Sequence, residues 1–458
     1  MTQDASTGAT RALADFAATI SFDAIPQMTR SRMKECFLDF IGNSAFAARE
    51  AESSPAFRRA VRDLALGIGP GTVVGESRRY PLQYAALLNG AYAHTLDFDD
   101  TSLFGSLHPG AVVIPAALAE AERTRASGRQ FIEALAVGNE IACRVGAAVG
   151  ATAYDRGFHN TPVAGIFGAV AAAGRLRGLD SAAIANAFGL AGSRAAGSMQ
   201  YLENGAWNKR LHPGLAAHDA LVALAFAQAG AVGATAAIEG RYGLLTAYSN
   251  AARPELLTDR LGQWWAAGEI AIKPYPSCRL THSAIDAGLM LRERVIGMPG
   301  NVDLDLSLSS KAVQVVGEAL SNKVHARNVV DGQFSVYFQL AVAWLDGRCD
   351  WSSYKRLGMD DVDALASRIA VRIDESLPVG GAILSVRGIP ELTVRVDEPL
   401  GEPSRPLQWQ EMVGKYSGLA ESVYGLETTR EIARRINQLE DEPAVTGITN
   451  LLLLRSTS

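Results

Sequence analysis

The sequence predicts a mainly α protein, a large all-helical domain with a smaller α+β unit, and three observations predict it. Residues 10–270 are rich in Ala, Gly and Leu at helical spacing, with few strand-like stretches. Between about 275 and 400 the apolar period changes from 3.6 to 2 in three short stretches. After 405 the helical spacing returns. The order helix-rich, mixed, helix-rich places the domain limits at 1–272, 273–402 and 403–458, with the last segment packing back on the first.

The first region reads as a bundle with apolar inner helices. In residues 131–149, Phe131, Ala134, Leu135, Gly138, Ile141 and Ala142 fall on one stripe. Residues 214–230 follow Pro213 and end at Gly230, which suits a helix with proline at its start and glycine at its end. Small residues recur at 171–174 and 189–192 and let helix backbones approach closely. In the mixed region, Val302, Leu304, Leu306 and Leu308 alternate with polar residues. So do Ile369, Val371 and Ile373, and again Leu392, Val394 and Val396. Residues 278–296 and 332–346 read as helices between them. The tail reads as helices over 409–416 and 428–439.

Composition narrows the function class. A chain of 458 residues exceeds one ordinary core. With 48% hydrophobic and 20% charged residues it has the profile of a packed globular protein. Net charge is -5 with no block of like charge, so neither a nucleic-acid footprint nor a polybasic membrane patch is expected. Residues 1–10 lack a signal pattern, and the apolar stretch 221–238 contains Gln and Gly. A cytoplasmic enzyme with no membrane partner is the expectation. The four cysteines, Cys36, Cys143, Cys278 and Cys349, form no CxxC pair. A disulfide framework or a cysteine-built metal or iron–sulfur site is therefore not expected.

Four segments carry candidate chemistry. In HTLDFDDTSLFGSLHPG (94–110), Asp97, Asp99 and Asp100 crowd together and His108 follows. Crowded carboxylates raise one another's pKa, although Asp99 or Asp100 could instead cap the helix starting near Pro109. In GFHNT (157–161), His159 precedes a helix start with Thr161 as cap and Pro162 in the first turn. The free N–H groups there suit a carboxylate. In NGAWNKRLHPG (204–214), Lys209 is placed to bind a carboxylate or stabilise an enolate-like anion. In KPYPSCRLTHSAIDA (273–287), Lys273, Arg279 and His282 surround two prolines, and Arg279 and His282 are i and i+3 if the helix has begun. No GxGxxG after a strand, GxxxxGK[ST], GxSxG or HExxH is present, so nucleotide and covalent mechanisms lack a motif.

These segments, in this order, resemble the MmgE/PrpD family over about residues 10–440. The resemblance is carried by LDFIGNSAFA (38–47), NGAYAHTLDFDDT (89–101), HPGAVVIPAALAEAE (108–122), GFHNTPVAGIFGAVAAAGRLRGLD (157–180), KRLHPGLAAHDALVALAFAQAG (209–230), KPYPSCRLTHSAIDA (273–287) and FSVYFQLAVAWLDG (334–347). It implies a helical domain, an α+β lid domain, a homodimer, a site between the domains, and no metal or organic cofactor. Matching positions imply site residues Asp97, Thr101, His108, His159, Lys209 and His282. Two features depart from the family's decarboxylase pattern. The 101–108 loop is about one residue longer, and Phe338 stands where that pattern has tyrosine, with Tyr337 one residue early.

The expected function is a cofactor-independent lyase of a small polycarboxylate, first a 2-methylcitrate dehydratase-like reaction. Decarboxylation of cis-aconitate or epimerisation of a dicarboxylate on the same site are alternatives, and a non-catalytic ligand-binding relative is the rival of another class. Substrate carboxylates are assigned to Lys209, Arg279, Lys273, Thr101 and the helix start at Thr161, with Tyr337 beside them. His108 and His159 form the acid–base pair, with Asp97 tuning one of them.

Overall fold

The computed structural model describes residues 8–295 and 302–454. The polar start of the chain before residue 8 and the last residue of the helix expected over 278–296 lie outside them. The chain divides into two compact units, residues 1–272 with 408–458, and residues 273–407.

The first unit is built on α1 (Gln27–Glu50), α2 (Leu82–Thr95), α3 (Gly110–Thr124), α4 (Gly128–Val149), α5 (Asn160–Leu176) and α6 (Asn208–Gln228). It is helical except for a two-residue ladder, Gly71–Thr72 with Arg79–Tyr80, which alternation had not announced. Helix α4 opens on a reciprocal capping box between Ser127 and Gln130. The expected apolar stripe on it is not a stripe, because every residue from 134 to 149 is buried. Its two charges inside the core, Glu140 and Arg144, pair at 2.6 Å. The Arg144 guanidinium also donates to the carbonyls of Leu256, Asp259 and Trp264, so no buried charge is left bare.

Glycine sets how closely α2 and α6 approach. A Cβ on Gly214 would sit 2.1 Å from the Leu87 carbonyl oxygen, and one on Gly90 would sit 2.8 Å from Gly214 Cα. Only backbone fits between these helices, and the crossing brings the end of α2 toward the start of α6. Helix α6 begins at Asn208, more than a turn before the expected start at 214, with Pro213 inside it. Lys209, Arg210 and His212 are therefore helical rather than on a loop. Helix α5 begins at Asn160 with His159 in the capping position, so Thr161 is a first-turn residue and not the cap. Its hydroxyl accepts the backbone N–H of His108 at 3.1 Å, which ties that loop to α5.

The second unit holds a four-stranded mixed sheet: β1 (Leu304–Leu308), β2 (Ile369–Ile373), β3 (Ala382–Val386) and β4 (Ile389–Val396), in the order β2-β1-β3-β4. β1 pairs parallel with β2 and antiparallel with β3, and Leu306 lies opposite both Val371 and Leu384. β1 shows the alternation its sequence promised, with Leu304, Leu306 and Leu308 buried. β2 does so only weakly, since only Ile369 is buried and Ile373 is exposed at the sheet edge. β3 was not anticipated. Its hairpin to β4 turns through Gly388, at φ +81°. Helices α7 (His282–Arg292) and α8 (Val336–Asp346) contribute Ile285, Leu291, Leu340 and Trp344 to the core under the sheet. Segment 332–346 is thus two helices, broken after Gln333 where Ser335 caps α8 through the Phe338 N–H.

Candidate active site

The loop leaving α2 is held from several sides. Its Phe98 carbonyl accepts from the Asn43 amide of α1 at 3.2 Å and from Lys415 of the tail helix Trp409–Tyr424 at 2.7 Å. Lys415 also pairs with Asp39 at 2.5 Å and lies 3.7 Å from the Phe98 ring centroid. Thr101 exchanges both backbone hydrogen bonds with Ala271, at 2.9 and 2.8 Å. Asp100 accepts the Gly110 N–H at 3.0 Å, so the capping role weighed for it is real. Asp97 is bent into the left-handed region at φ +51°. A non-glycine residue there costs about 1–2 kcal/mol, and the anchored loop supplies it.

This scaffold gathers four histidines. His94 closes α2, and its Nδ1–H donates to Asp99 at 2.6 Å. Its Nε2 has no hydrogen-bond partner and is buried. His108 donates its Nδ1–H to the Asp100 carbonyl at 2.8 Å. His159 and His212 meet Nδ1 to Nδ1 at 3.1 Å. The His94 ring lies 4.8 Å from that of His108 and stacks on that of His159 at 5.6 Å. Tyr201 presents its ring edge-on to both His159 and His212. Lys209 reaches in from α6 and pairs with Asp97 at 2.9 Å.

Burial makes the imidazoles reluctant to charge. His159 is held well below its ordinary pKa by desolvation first, then by His94, His212, Lys209 and His108. His94 is lowered by the same burial, although Asp99 opposes the shift. His212 is lowered to about 4. Asp100 moves the other way, raised to about 8 by desolvation and by the charges of Asp99 and Asp39. At neutral pH the His94, His159 and His212 imidazoles are therefore held in the neutral form.

Of the expected site residues, the first unit brings together Asp97, His108, His159 and Lys209, with Thr101 and Thr161 in the supporting loop and helix. Asp97 acts through its charge on His94, whose pKa it raises against the effect of burial. It pairs with Lys209, while Asp99 takes the histidine-facing role, 2.6 Å from His94 and 3.8 Å from His108. Both threonine hydroxyls have internal partners, Thr101 toward the Leu107 carbonyl at 3.5 Å and Thr161 on the His108 N–H. The Thr161 hydroxyl is thus engaged with the His108 backbone, and Thr161 itself stands in the first turn of α5.

Lys273, Arg279, His282 and Tyr337 belong to the second unit. Arg279 and His282 do touch, Nη1 to Nδ1 at 2.8 Å, because the 3-10 turn Arg279–Thr281 leading into α7 aligns residues three apart. Arg279 is already matched to a carboxylate, Glu402 at 2.5 and 2.7 Å, so it is not a free clamp for a substrate carboxylate. His282 has its Nδ1 occupied by Arg279 and its Nε2–H on the Ser277 carbonyl at 3.2 Å. Both ring nitrogens of His282 are therefore engaged within the second unit. The Tyr337 hydroxyl donates to the Gly317 carbonyl at 2.8 Å, which removes it from substrate binding. Lys273 is fully buried.

His94, His212 and Tyr201 were given no role from sequence, and Asp99 was named only as one of the crowded carboxylates or as a helix cap. The signal for two of them was present: His94 opens the acidic segment, and His212 stands three residues after Lys209, on the same face once 208–228 is helical. The proline at 213 hid that face by suggesting a later start.

A metal ion has one place to consider among the described residues, His94, Asp99 and His108, whose ligand atoms lie within 4.8 Å of one another. Two ligands on one tetrahedral zinc at about 2.0–2.1 Å stand roughly 3.4 Å apart. The 2.6 Å between His94 and Asp99 is instead the length of a charge-assisted hydrogen bond. The donor set fits a proton better than an ion. No helix among the described residues is long and apolar enough to cross a membrane.

Two family models match the chain. The MmgE/PrpD N-terminal domain covers residues 11–257 and the MmgE/PrpD C-terminal domain covers residues 275–441. Cis-aconitate decarboxylase of Aspergillus terreus (strain NIH 2624 / FGSC A1156) is 26% identical over 480 residues, 98% of this chain and 96% of the relative. Cis-aconitate decarboxylase of Homo sapiens is 26% identical over 393 residues, 82% of this chain and 80% of the relative. The cis-aconitate decarboxylase-like protein oryM of Aspergillus oryzae is 34% identical over 231 residues, 47% of this chain and 48% of the relative.

Proposed function

The chain belongs to the MmgE/PrpD family and is a lyase of that family, and on that premise we propose that it decarboxylates a small unsaturated tricarboxylate of the cis-aconitate type. Dehydration of a 2-methylcitrate-like substrate, the first expectation from sequence, moves behind this reading. The relatives that align with nearly the whole chain carry the decarboxylase name, and none of those compared carries the dehydratase name.

The observation that carries the reading is the set of buried His94 and His159 with half-buried His108 and His212 around the Lys209 side chain. Loss of CO2 from a β,γ-unsaturated acid breaks one C–C bond. The released electron pair becomes a new double bond, and the old alkene takes up one proton at its far carbon. Atoms balance with one proton consumed and one CO2 released. Such a step needs one positioned acid and one cation near the developing negative charge. His159 serves as the acid and Lys209 as the cation. A tricarboxylate also supplies the acid's proton indirectly. Its charge opposes the effects that lower the imidazoles, so they gain protons as it binds.

The reading is tested by incubating the protein with cis-aconitate in deuterated water. CO2 release with one carbon-bound deuteron in the product supports it. Alkene formation from 2-methylcitrate without CO2 supports dehydration instead, and deuterium exchange without net conversion supports epimerisation. No metal enters this scheme, so dialysis against EDTA leaves the rate unchanged.

A further inference from the structure

His159 is buried, 5% exposed, and it has one side-chain hydrogen-bond partner in view, His212. His212 is half-buried on the second turn of α6. The contact is specific in its construction. A Cβ at Gly197 would lie 3.4 Å from His212 Nδ1, 3.5 Å from His159 Cβ and 2.7 Å from Pro162 Cγ, at a φ of +154°. The Gly197 carbonyl accepts the His159 backbone N–H at 2.9 Å. Glycine at 197 thus avoids a clash with Pro162 and takes the positive φ beside the two rings, and Tyr201 closes the side.

Two neutral imidazoles meeting Nδ1 to Nδ1 share one proton, so one ring donates and the other accepts. Only one direction survives catalysis intact. If His159 donates from Nδ1, its Nε2 gains and loses a proton while the shared bond stays made. If His212 donates, a His159 that gives up its Nε2 proton is left without any proton unless the shared one moves.

We propose that His212 is a positioning residue for His159, its Nδ1 lone pair accepting the His159 Nδ1–H so that His159 presents Nε2 to the reacting carbon. The role resembles that of a carboxylate behind a catalytic histidine, here filled by a neutral group. It rests on the reading of His159 as the acid. The groups facing His159 are His94 from α2, His108 from the loop before α3, Lys209 and His212 from α6, and Tyr201. Burial and the charges of His94, His212, Lys209 and His108 all add to its reluctance to charge, and the Nδ1 lone pair of a neutral His212 is the hydrogen-bond acceptor that the imidazolium meets.

The test compares His212→Asn with His212→Leu in the full chain. An Asn oxygen can stand where Nδ1 stands, and Leu offers no acceptor. We expect Leu to cut kcat by about a hundredfold, the scale of a mispositioned acid, and Asn to stay within about tenfold of the native rate. In the Leu variant the basic limb of the kcat profile moves to lower pH, since the imidazolium has lost its acceptor. If Asn does no better than Leu and neither profile moves, His212 is only packing and the proposal is overturned. Nitrogen-15 spectra of the selectively labelled histidines, without any substrate, give the tautomer of His159. An Nδ1–H form supports the proposal, and an Nε2–H form overturns it. If the native protein releases no CO2 from cis-aconitate, the proposed reaction fails while the tautomer result still stands on its own.

Discussion

The two units hold similar polar side chains and use them in opposite ways. In the second unit, Arg279, His282 and Glu402 satisfy one another: cation on carboxylate, guanidinium on one imidazole nitrogen, the other nitrogen on a carbonyl. In the first unit, His94 keeps a buried Nε2 without a partner, and His159 and His212 share a single hydrogen-bond contact. A polar set that closes on itself stabilises a fold. One that leaves nitrogens open, in a place where burial has made them hard to protonate, keeps capacity for a ligand and a proton.

The comparison is broken or sharpened by experiments of decreasing effect. Glu402→Gln leaves Arg279 as a buried cation without its counter-charge. Loss of about 3–5 kcal/mol is expected, read as a lower denaturant midpoint for the unit holding residues 273–407. A negligible shift would mean that this set is not closed after all. Lys209→Ala is expected to cut kcat by about a hundredfold, some 2.7 kcal/mol, read on the folded protein because buried Asp97 also loses its counter-charge and stability falls. An unchanged kcat would remove Lys209 from the chemistry.

Binding of propane-1,2,3-tricarboxylate, which has no alkene and cannot react, should take up protons between about pH 5 and 7. His212 sits at about 4 when the site is empty and rises when an anion arrives. Calorimetry in buffers of different ionisation enthalpy reads this directly, and zero uptake contradicts the charge argument. A pH-dependent effect concerns Asp100. Its folded pKa of about 8 lies above the unfolded value, so its contribution is fully favourable only at low pH. That contribution is lost as pH rises toward 8. Asp100→Asn keeps the acceptor for Gly110 and removes this loss. The melting temperature of the variant relative to the native chain should climb between pH 4 and 8, and a flat difference rules it out.

Sequence spacing showed the helical character of the first region, the β1 alternation and four groups of the first-unit cluster, Asp97, His108, His159 and Lys209. These follow from local rules: a period of 3.6 or 2, and functional side chains beside Gly and Pro. Arg279 and His282 also came out at the right spacing, but the pairing of Arg279 with Glu402, more than a hundred residues away, was not legible in it. The same holds for Tyr337, whose hydroxyl is spent on Gly317.

The sequence by itself determined which residue types exist and which helix or loop carries them. Whether a nitrogen is occupied or open was decided only in the tertiary structure, by the Gly90–Gly214 crossing of α2 and α6, the positive φ of Gly197 beside Pro162 and the clamp of Lys415 and Asn43 on Phe98. The physical reason is that a hydrogen bond is won or lost over a few tenths of an ångström, and no spacing along a chain specifies that distance for residues that meet from opposite ends of it.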